Sequence, residues 1–296
     1  MKKILITGAN SYVGTSFEKW LSQWPDEYHV DTIDMIDGTW REKSFAGYDV
    51  IFHVAGIAHV SADPSKKDLY YRINRDLAVN TAKKAKIDGV KQFIFMSSMI
   101  IYGADEPVGK EKIITRDTPP NPADFYGDSK LQADLAIQKM ADDKFIVSIM
   151  RPPVIYGPGC KGNFPKLLKL AKYALIFPNI ENRRSMIYID NFTECVRLVI
   201  NNASGGIFFP QNEEYVATKD VIADYRKIMG KVIFMISVPT FVYNVISDNK
   251  LFNKVFGTKV YDICLSSCEN YNIVDFQAGL KKIISHNSSN YIWSKP

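Results

Sequence analysis

The sequence predicts an α/β fold: a Rossmann-like doubly wound parallel sheet with a smaller C-terminal substrate-binding lobe. Three observations carry that expectation. Short apolar runs alternate with helical segments to about residue 150, the pattern of a parallel sheet covered on both faces. The chain opens on a strand, a glycine-bearing turn and a helix. From Arg151 to Phe164 it becomes rich in Gly and Pro and reads as loop.

The first strand is the apolar run from Lys2 to Thr7, as a buried parallel strand would be. Gly8 to Gly14 form the turn, and Thr15 to Leu21 the helix. In such a turn, backbone N–H groups and a helix N-terminus receive the pyrophosphate of a dinucleotide. Gly8 makes the tight turn and Gly14 lets helix and strand pack closely. Ser11 stands where Gly-x-x-Gly-x-x-Gly has its middle glycine; it is small and can hydrogen-bond a phosphate, but it demands more ordinary φ/ψ. A plain strand-turn-helix would share the layout.

The second strand, His29 to Asp34, ends in a carboxylate at the distance where an acidic group meets the adenosine ribose hydroxyls. Asp34 repels a 2′-phosphate and so favours NAD over NADP. The alternative places Asp37, or the backbone near it, at the ribose and lets Arg41 or Lys43 meet a 2′-phosphate, which keeps NADP open.

A third strand, Tyr48 to His53, runs into the small residues Val54, Ala55 and Gly56. A fourth, from Gln92, ends in the hydroxyls Ser97 and Ser98 and continues to Tyr102 and Gly103. Between them Asn74 falls on a helix expected over Tyr71 to Lys86. Singly, His53 reads as a core histidine and Asn74 as a packing or capping group. Tyr126 and Lys130 lie four residues apart, on one face of a helix. A Lys cation beside a Tyr would pull its pKa down from roughly 10 toward neutrality and make Tyr126 an acid/base. A surface Tyr and Lys on one helix would give the same isolated pattern.

Together these motifs resemble the extended short-chain dehydrogenase/reductase family, in its NAD-dependent epimerase/dehydratase branch, over residues 1 to about 215. They are the Gly8 to Gly14 turn, His53-Val54-Ala55-Gly56, Asn74, Ser97-Ser98 with Tyr102-Gly103, Tyr126-x-x-x-Lys130, and Arg151-Pro152-Pro153-x-x-Tyr156-Gly157. The resemblance implies catalytic Ser98, Tyr126 and Lys130, with Ser97 the other claimant to the Ser98 role. It implies a cofactor site of Gly8, Asn10, Ser11, Tyr12, Val13, Gly14, Asp34, Val54, Ala55, Gly56, Asn74, Ser97, Tyr126, Lys130 and Pro153. Sugar 4,6-dehydratases of the family carry Asp-Glu after the catalytic Ser/Thr; here Met99 and Ile100 stand there, and neither exchanges protons. What remains is 4-epimerisation through a transient 4-keto sugar, reduction of a 4-keto sugar, or oxidation of a secondary alcohol. The expected function is an NAD-dependent nucleotide-sugar 4-epimerase of UDP-hexose type. The alternatives are an NAD(P)H-dependent 4-keto-sugar reductase in surface polysaccharide biosynthesis and a non-catalytic dinucleotide sensor.

In the later region, Asn163 and Lys161 are candidates to meet a pyrophosphate. Arg184, in Arg183 to Asn191, matches the family stretch whose Arg grips the nucleotide diphosphate; a solvated Arg pair on a turn is the other reading. With no second arginine in the last part of the chain to pair with Arg184, the clamp is either incomplete or built from Lys254 or Lys259. The expected division is 1–155 for the dinucleotide-binding domain, with a return to it near 186–205 by a strand and helix over Met186 to Asn201, and 156–296 for the lobe.

The 296 residues are 46% hydrophobic and 23% charged, an ordinary globular composition with a net charge of +5. The scattered Lys and Arg form no dense run, which argues against nucleic acid. The spacing of Cys160, Cys195, Cys264 and Cys268, with four distant His, predicts no metal site. The cysteine usage and the direct entry into a strand predict a reduced, cytoplasmic protein. The apolar stretch Val232 to Ile246 is interrupted and too short to span a membrane; core or dimer contact is expected there, with membrane-surface contact a minor reading. A homodimer is a family expectation, and the tail from His286 is expected to be irregular.

Overall fold

The computed structural model describes residues 1–58, 63–239, 242, 249–266 and 270–292. In chain order its strands are β1 (Lys2–Thr7), β2 (Tyr28–Ile33), β3 (Val50–His53), β4 (Gln92–Met96), β5 (Ile113–Ile114), β6 (Ile146–Met150), β7 (Val154–Tyr156), β8 (Ile176–Asn179), β9 (Met186–Tyr188), β10 (Gly206–Phe208), β11 (Phe234–Ser237) and β12 (Val260–Tyr261). Its α-helices are α1 (Tyr12–Leu21), α2 (Lys67–Tyr70), α3 (Ala78–Ile87), α4 (Phe125–Gln138), α5 (Asn163–Tyr173), α6 (Ile189–Asn201), α7 (Thr218–Ile228), α8 (Lys250–Phe256) and α9 (Phe276–Ile292).

Six strands form one parallel sheet in the order β10-β6-β4-β3-β1-β2. Chain order reverses between β1 and β3, and a crevice opens at the carboxyl ends of the strands at such a point. Side chains alternate across the sheet. Leu5, Ile51, Phe93, Phe95, Val147 and Ile149 pack with residues of α3 and α4. Ile4, Ile6, Val50, Phe52, Ile94 and Met150 pack with α1 and α6 on the other face. Burial on both faces is why these strands read as continuous apolar runs. The link from Asp34 to Asp49 carries no helix beyond a 3-10 turn at Thr39–Arg41, and Trp40 and Phe45 bury themselves on the α3 side.

Four details differ from expectation. The strand over Met186–Tyr188 does not rejoin the main sheet; it pairs with β7. The chain first crosses the face as α6, turns at Gly206 with φ +109°, and joins the sheet through β10. Gln92 locks that return by donating to Ser148 Oγ (3.0 Å) and to the carbonyls of Val199 and Ser204 (both 3.3 Å). The helix expected from Tyr71 starts at Lys67 and has a π-helical segment, Tyr71–Leu77, between α2 and α3. Residues 286–292, expected to be irregular, continue α9, whose Phe276, Leu280 and Ile283 form a buried stripe against α5 and α7. Of the roles expected for the stretch from Val232, core or dimer contact with membrane-surface contact a minor reading, core does not hold for its described part: Val232, Phe234 and Ile236 lie on the surface, because among the described residues β11 pairs only with β8. Residues 240–241 and 243–246 of that stretch, Cys268, and the last four residues of the tail lie outside the described residues.

A buried ion pair ties α4 to the sheet. Asp134 accepts from Arg151 Nε and Nη2, both at 2.9 Å, and from Ser97 Oγ at 2.6 Å. Arg151 also donates to Tyr102 Oη at 2.7 Å. Removing one partner strands a buried charge, so Asp134→Ala should cost roughly 3–5 kcal/mol. Urea denaturation should show that loss, and replacing Arg151 with Met in the same chain should recover part of it; a loss below 1 kcal/mol would show that water replaces the pair at ~no cost.

Candidate active site

The glycine turn is shaped by close backbone approach. Gly8 has φ +101°, and a Cβ there would lie 2.9 Å from Ala55 N and Cα. Gly14 faces Ile6 and Val54, where a Cβ would sit 3.2 Å from each. Ser11 has ordinary backbone angles (φ −71°, ψ 146°) and caps α1 by accepting from Gly14 N at 3.1 Å. No glycine is needed at position 11, because the positive φ falls on Asn10 (φ 64°). The Tyr12 and Val13 amides of the first turn have no intrahelical acceptor, and α1 directs them into the crevice side of the sheet, a cradle that suits a pyrophosphate.

Gly8 N and Ala9 N both donate to Ile33 O (2.9 and 3.2 Å), which sets Asp34 beside the turn. Asp34 is exposed and accepts from Ile36 N at 2.9 Å. Asp37 instead turns inward on its own loop, accepting from Thr39 N and Oγ1 (3.0 and 2.8 Å), and these bonds hold its carboxyl below the usual range. Arg41 stacks on Trp40 at 4.9 Å.

One face of α4 carries Tyr126, Lys130 and Asp134 along the carboxyl ends of the strands. Asp124 starts the helix by capping Gly127 N at 2.8 Å. Lys130 is buried; its ammonium donates to Met96 O at 2.8 Å, lies 5.0 Å above the Phe95 ring, and would be 3.2 Å from a Cβ on Gly56. Burial pushes its pKa down to about 8, with Asp134 opposing. Asn74 is buried beside it, accepting from Ile57 N (2.9 Å) and donating to Ile57 O (3.0 Å), so it clamps the loop that leaves β3. Pro153 is buried, and Pro152 O accepts from Met99 N at 2.9 Å.

In the free protein, contrary to expectation, Lys130 does not lower the Tyr126 pKa. Burial pushes the phenol up to about 12, the Tyr70 and Asp124 charges add to this, and only a hydrogen bond with Ser98 opposes it. The Lys130 ammonium is turned to Met96 O rather than to the phenol. Tyr126 is therefore a neutral phenol near pH 7, paired with the Ser98 hydroxyl. Ser97 turns its own hydroxyl inward to Asp134. Tyr70, which no sequence pattern flagged, packs edge-on against Tyr126 at 5.7 Å.

Asn163 and Lys161 are both exposed, at and just before the start of α5. Arg184 lies in the second lobe but reaches Asp105, which follows the Tyr102-Gly103 turn. Its Nη2 donates to Asp105 Oδ2 (3.0 Å) and Lys254 O (2.8 Å), while its Nε is buried with no hydrogen-bond partner among the described residues. Lys259 Nζ contacts Asp105 Oδ1 at 3.1 Å and donates to Gly103 O at 2.8 Å. Of the two lysines considered as a second cation, Lys259 adjoins Arg184, and Lys254 contributes its backbone carbonyl. Burial alone would raise the Asp105 pKa, but Lys259 and Arg184 hold it below the carboxylate range. Asp105 was not foreseen; an acid two residues beyond a Tyr-Gly turn carries no signal of its own.

His53 is buried in the same region. Its Nδ1 is 2.7 Å from Thr7 Oγ1, its ring stacks with Phe93 and Phe95, and its Nε2 has no hydrogen-bond partner among the described residues. Among the described residues no group of three or more His, Cys, Asp or Glu could hold a metal ion, and no helix is long and apolar enough to cross a membrane.

Comparison with known proteins bears on the family and the fold. A family model described as NAD dependent epimerase/dehydratase family matches residues 4–209. UDP-glucose 4-epimerase of Vibrio cholerae is 30% identical over a 319-residue alignment that covers 100% of this chain and 91% of that protein. An N-acetyl-alpha-D-glucosaminyl-diphospho-ditrans,octacis-undecaprenol 4-epimerase of Escherichia coli O157:H7 is 28% identical over 69% of this chain and 64% of its own length. Among solved structures, UDP-glucuronic acid 4-epimerase from Bacillus cereus in complex with UDP-glucuronic acid and NAD superposes with a TM-score of 0.74 at 21% identity, covering 98% of this chain and 100% of that one. A dTDP-4-dehydrorhamnose reductase from Clostridium acetobutylicum gives 0.73 at 19% identity, covering 97% and 99%.

Burial, and then the Lys130 charge, pushes the His53 pKa down to about 3. The unfolded chain takes up that proton near pH ~6.5 while the folded chain does not, so stability should fall as pH drops from ~6.5 toward ~3, by up to roughly 1.4 kcal/mol per pH unit. Denaturation curves between about pH 7 and about pH 5 should show this slope, and His53→Asn should flatten it. An unchanged slope in the variant would assign the acid sensitivity to other groups.

Proposed function

The chain belongs to the NAD dependent epimerase/dehydratase family, and within it we propose that the protein is a nucleotide-sugar 4-epimerase that acts through a transient 4-keto sugar. The observation that carries this reading is the pairing of Ser98 with Tyr126 beside a lysine, with no proton-transferring carboxylate on the same strand end. Met99 is buried and Ile100 packs in the apolar cluster with Ile101 and Leu131, where a dehydratase of the family would carry its acids. Asp124 and Asp128, the carboxylates on the Tyr126 turn of α4, are held by Gly127 N and by Tyr71 and Gln132. The likeness to the Vibrio cholerae epimerase over the full length favours epimerisation over one-way reduction.

In this reading Gly8, Asn10, Ser11, Tyr12, Val13 and Gly14 receive the cofactor pyrophosphate, Asp34 the adenosine ribose, and Val54, Ala55, Gly56 and Asn74 wall the crevice. NAD, when bound, supplies the acceptor and donor of hydride for the sugar C4. Tyr126 takes the proton of the 4-hydroxyl and returns it, and Ser98 donates a hydrogen bond to the same oxygen. The lone phenol would hold its proton too tightly to act as a base at neutral pH, so the base form depends on positive charge brought close to Tyr126 by Lys130 and the bound cofactor. Arg184 and Lys259 take the substrate diphosphate, and Asn163 lies at the mouth of that side. A homodimer through two helices of the sheet layer is the family expectation that goes with this reading.

Three outcomes test the reading. Purified protein should interconvert UDP-glucose and UDP-galactose without added cofactor, and should release NAD on denaturation; an empty protein that turns over only 4-keto sugars with NADPH would replace the epimerase by the reductase. Tyr126→Phe should lower turnover by roughly 10²–10⁴-fold with cofactor still bound. Asp105→Asn should tighten UDP binding up to about tenfold while lowering the melting temperature, because the diphosphate no longer competes with an internal carboxylate for Arg184 and Lys259; weaker UDP binding would instead make Asp105 part of the support for the substrate.

A further inference from the structure

The outer face of the second lobe carries a contiguous apolar surface that the active site does not use. Tyr173, Leu175, Ile176, Val232, Phe234 and Ile236 are each between 52% and 68% exposed. They are brought together by the β8–β11 pair, in which Ile176 faces Phe234 and Pro178 faces Ile236, so Ile176, Phe234, Pro178 and Ile236 share one side of the two strands. The surface is rigidly built. Arg226 is buried and donates to Val232 O at 2.8 Å and to Ala171 O and Lys172 O at 3.3 Å, stapling the end of α5 to the segment that enters β11. Phe234 N donates to Leu175 O at 2.9 Å.

Among the described residues the segments that build this surface carry mainly positive charge, with Glu181 paired to Lys219 beyond the end of β8. Residues 163–178 contain Lys166, Lys169 and Lys172 and no Asp or Glu; residues 225–239 contain Arg226, Lys227 and Lys231 and no Asp or Glu. Lys166, Lys169, Lys227 and Lys231 are exposed, and Lys172 lies 5.5 Å over the Tyr173 ring. Lys166, Lys169 and Tyr173 follow the i, i+3, i+7 spacing of one helix face. A cleft of about 410 Å³ opens beside the surface, and Lys169, Lys172 and Tyr173 line it.

Large apolar side chains flanked mainly by lysines fit a bilayer surface of anionic lipid: the apolar groups enter the headgroup boundary and the ammonium groups meet the phosphates. A second copy of this chain fits poorly, because a two-fold contact would set the same lysines against one another. We propose that the β8–β11 face, with the C-terminal turn of α5, docks the protein on anionic membrane lipid while the crevice at the strand ends stays in water.

Sedimentation of the full chain with vesicles tests this. Vesicles of phosphatidylglycerol and phosphatidylethanolamine should carry the protein down, and vesicles of phosphatidylcholine alone should carry at least tenfold less. Raised salt should weaken the binding, since it screens the lysines. A Phe234→Ser, Ile236→Ser chain and a Lys169→Glu, Lys231→Glu chain should each lose at least tenfold in bound fraction while keeping the parent circular dichroism spectrum and melting temperature. Should the first pair fail to fold, Ile176→Ser tests the same face. Equal binding to both vesicle types, no binding, or parent-like binding by all the variants would overturn the proposal. So would a concentration-dependent dimer that Ile176→Ser or the serine pair dissolves, which would assign the face to a second copy, or a tight complex with an acidic protein that excludes vesicles.

Discussion

The Asp134 carboxylate sets the geometry on which the rest of the crevice depends. It sits on α4 eight residues after Tyr126 and four after Lys130, so all three share one stripe of the helix. Its two oxygens meet Arg151 at the end of β6 and Ser97 at the end of β4. Those bonds set how far α4 is rotated and how far it is slid along the sheet edge. With Asp134 held, the Lys130 ammonium meets Met96 O and the Tyr126 phenol meets Ser98. Tyr102, bonded to Arg151, ties the following turn to the same anchor.

That rigidity has an electrostatic consequence. Lys130 and His53 are withdrawn from water and Tyr126 is half-buried, and burial acts on each in the direction of its neutral form. Lys130 stays largely charged near neutrality, supported by the Met96 carbonyl and the Phe95 ring face. His53 is neutral and serves as packing between Thr7 and two phenylalanines. The free protein thus holds Tyr126 in the protonated form. A tyrosine beside a lysine in sequence is not the same as a phenolate beside an ammonium in space: spacing puts two groups on one helix face, but rotamers and nearby carbonyls decide whether they meet.

The sheet was legible in the sequence because both of its faces are buried, which leaves unbroken apolar strands ending in small or hydroxyl residues. The crevice residues were legible for the same reason, since Gly8, Gly56 and Ser98 all follow directly on such strands. The later elements were not. β10 is three residues long and begins at a glycine, and its place is set by Gln92, a polar side chain some hundred positions away. The π-helical turn that buries Asn74 leaves no compositional mark. Polar residues hid the last part of α9, although its buried stripe has ordinary helical spacing. For the apolar run from Val232 the sequence left core and surface contact open, because hydropathy records which residues are apolar and not which faces find a partner.

Asp105 shows why a pair of largely buried cations carries an anion of its own. Arg184 and Lys259 are both largely withdrawn from solvent, and two such cations without a counter-charge would repel each other and lose hydration. A carboxylate between them lets the second lobe and the Gly103 turn pack together before any ligand arrives. The arrangement is incomplete in one respect, since Arg184 Nε is buried without a hydrogen-bond partner among the described residues. A diphosphate offers more oxygens than a single carboxylate and can meet the Nε as well as the Nη2 edge of a guanidinium. On the proposed reading, a diphosphate has only to displace Asp105 and need not assemble the cations from a distance.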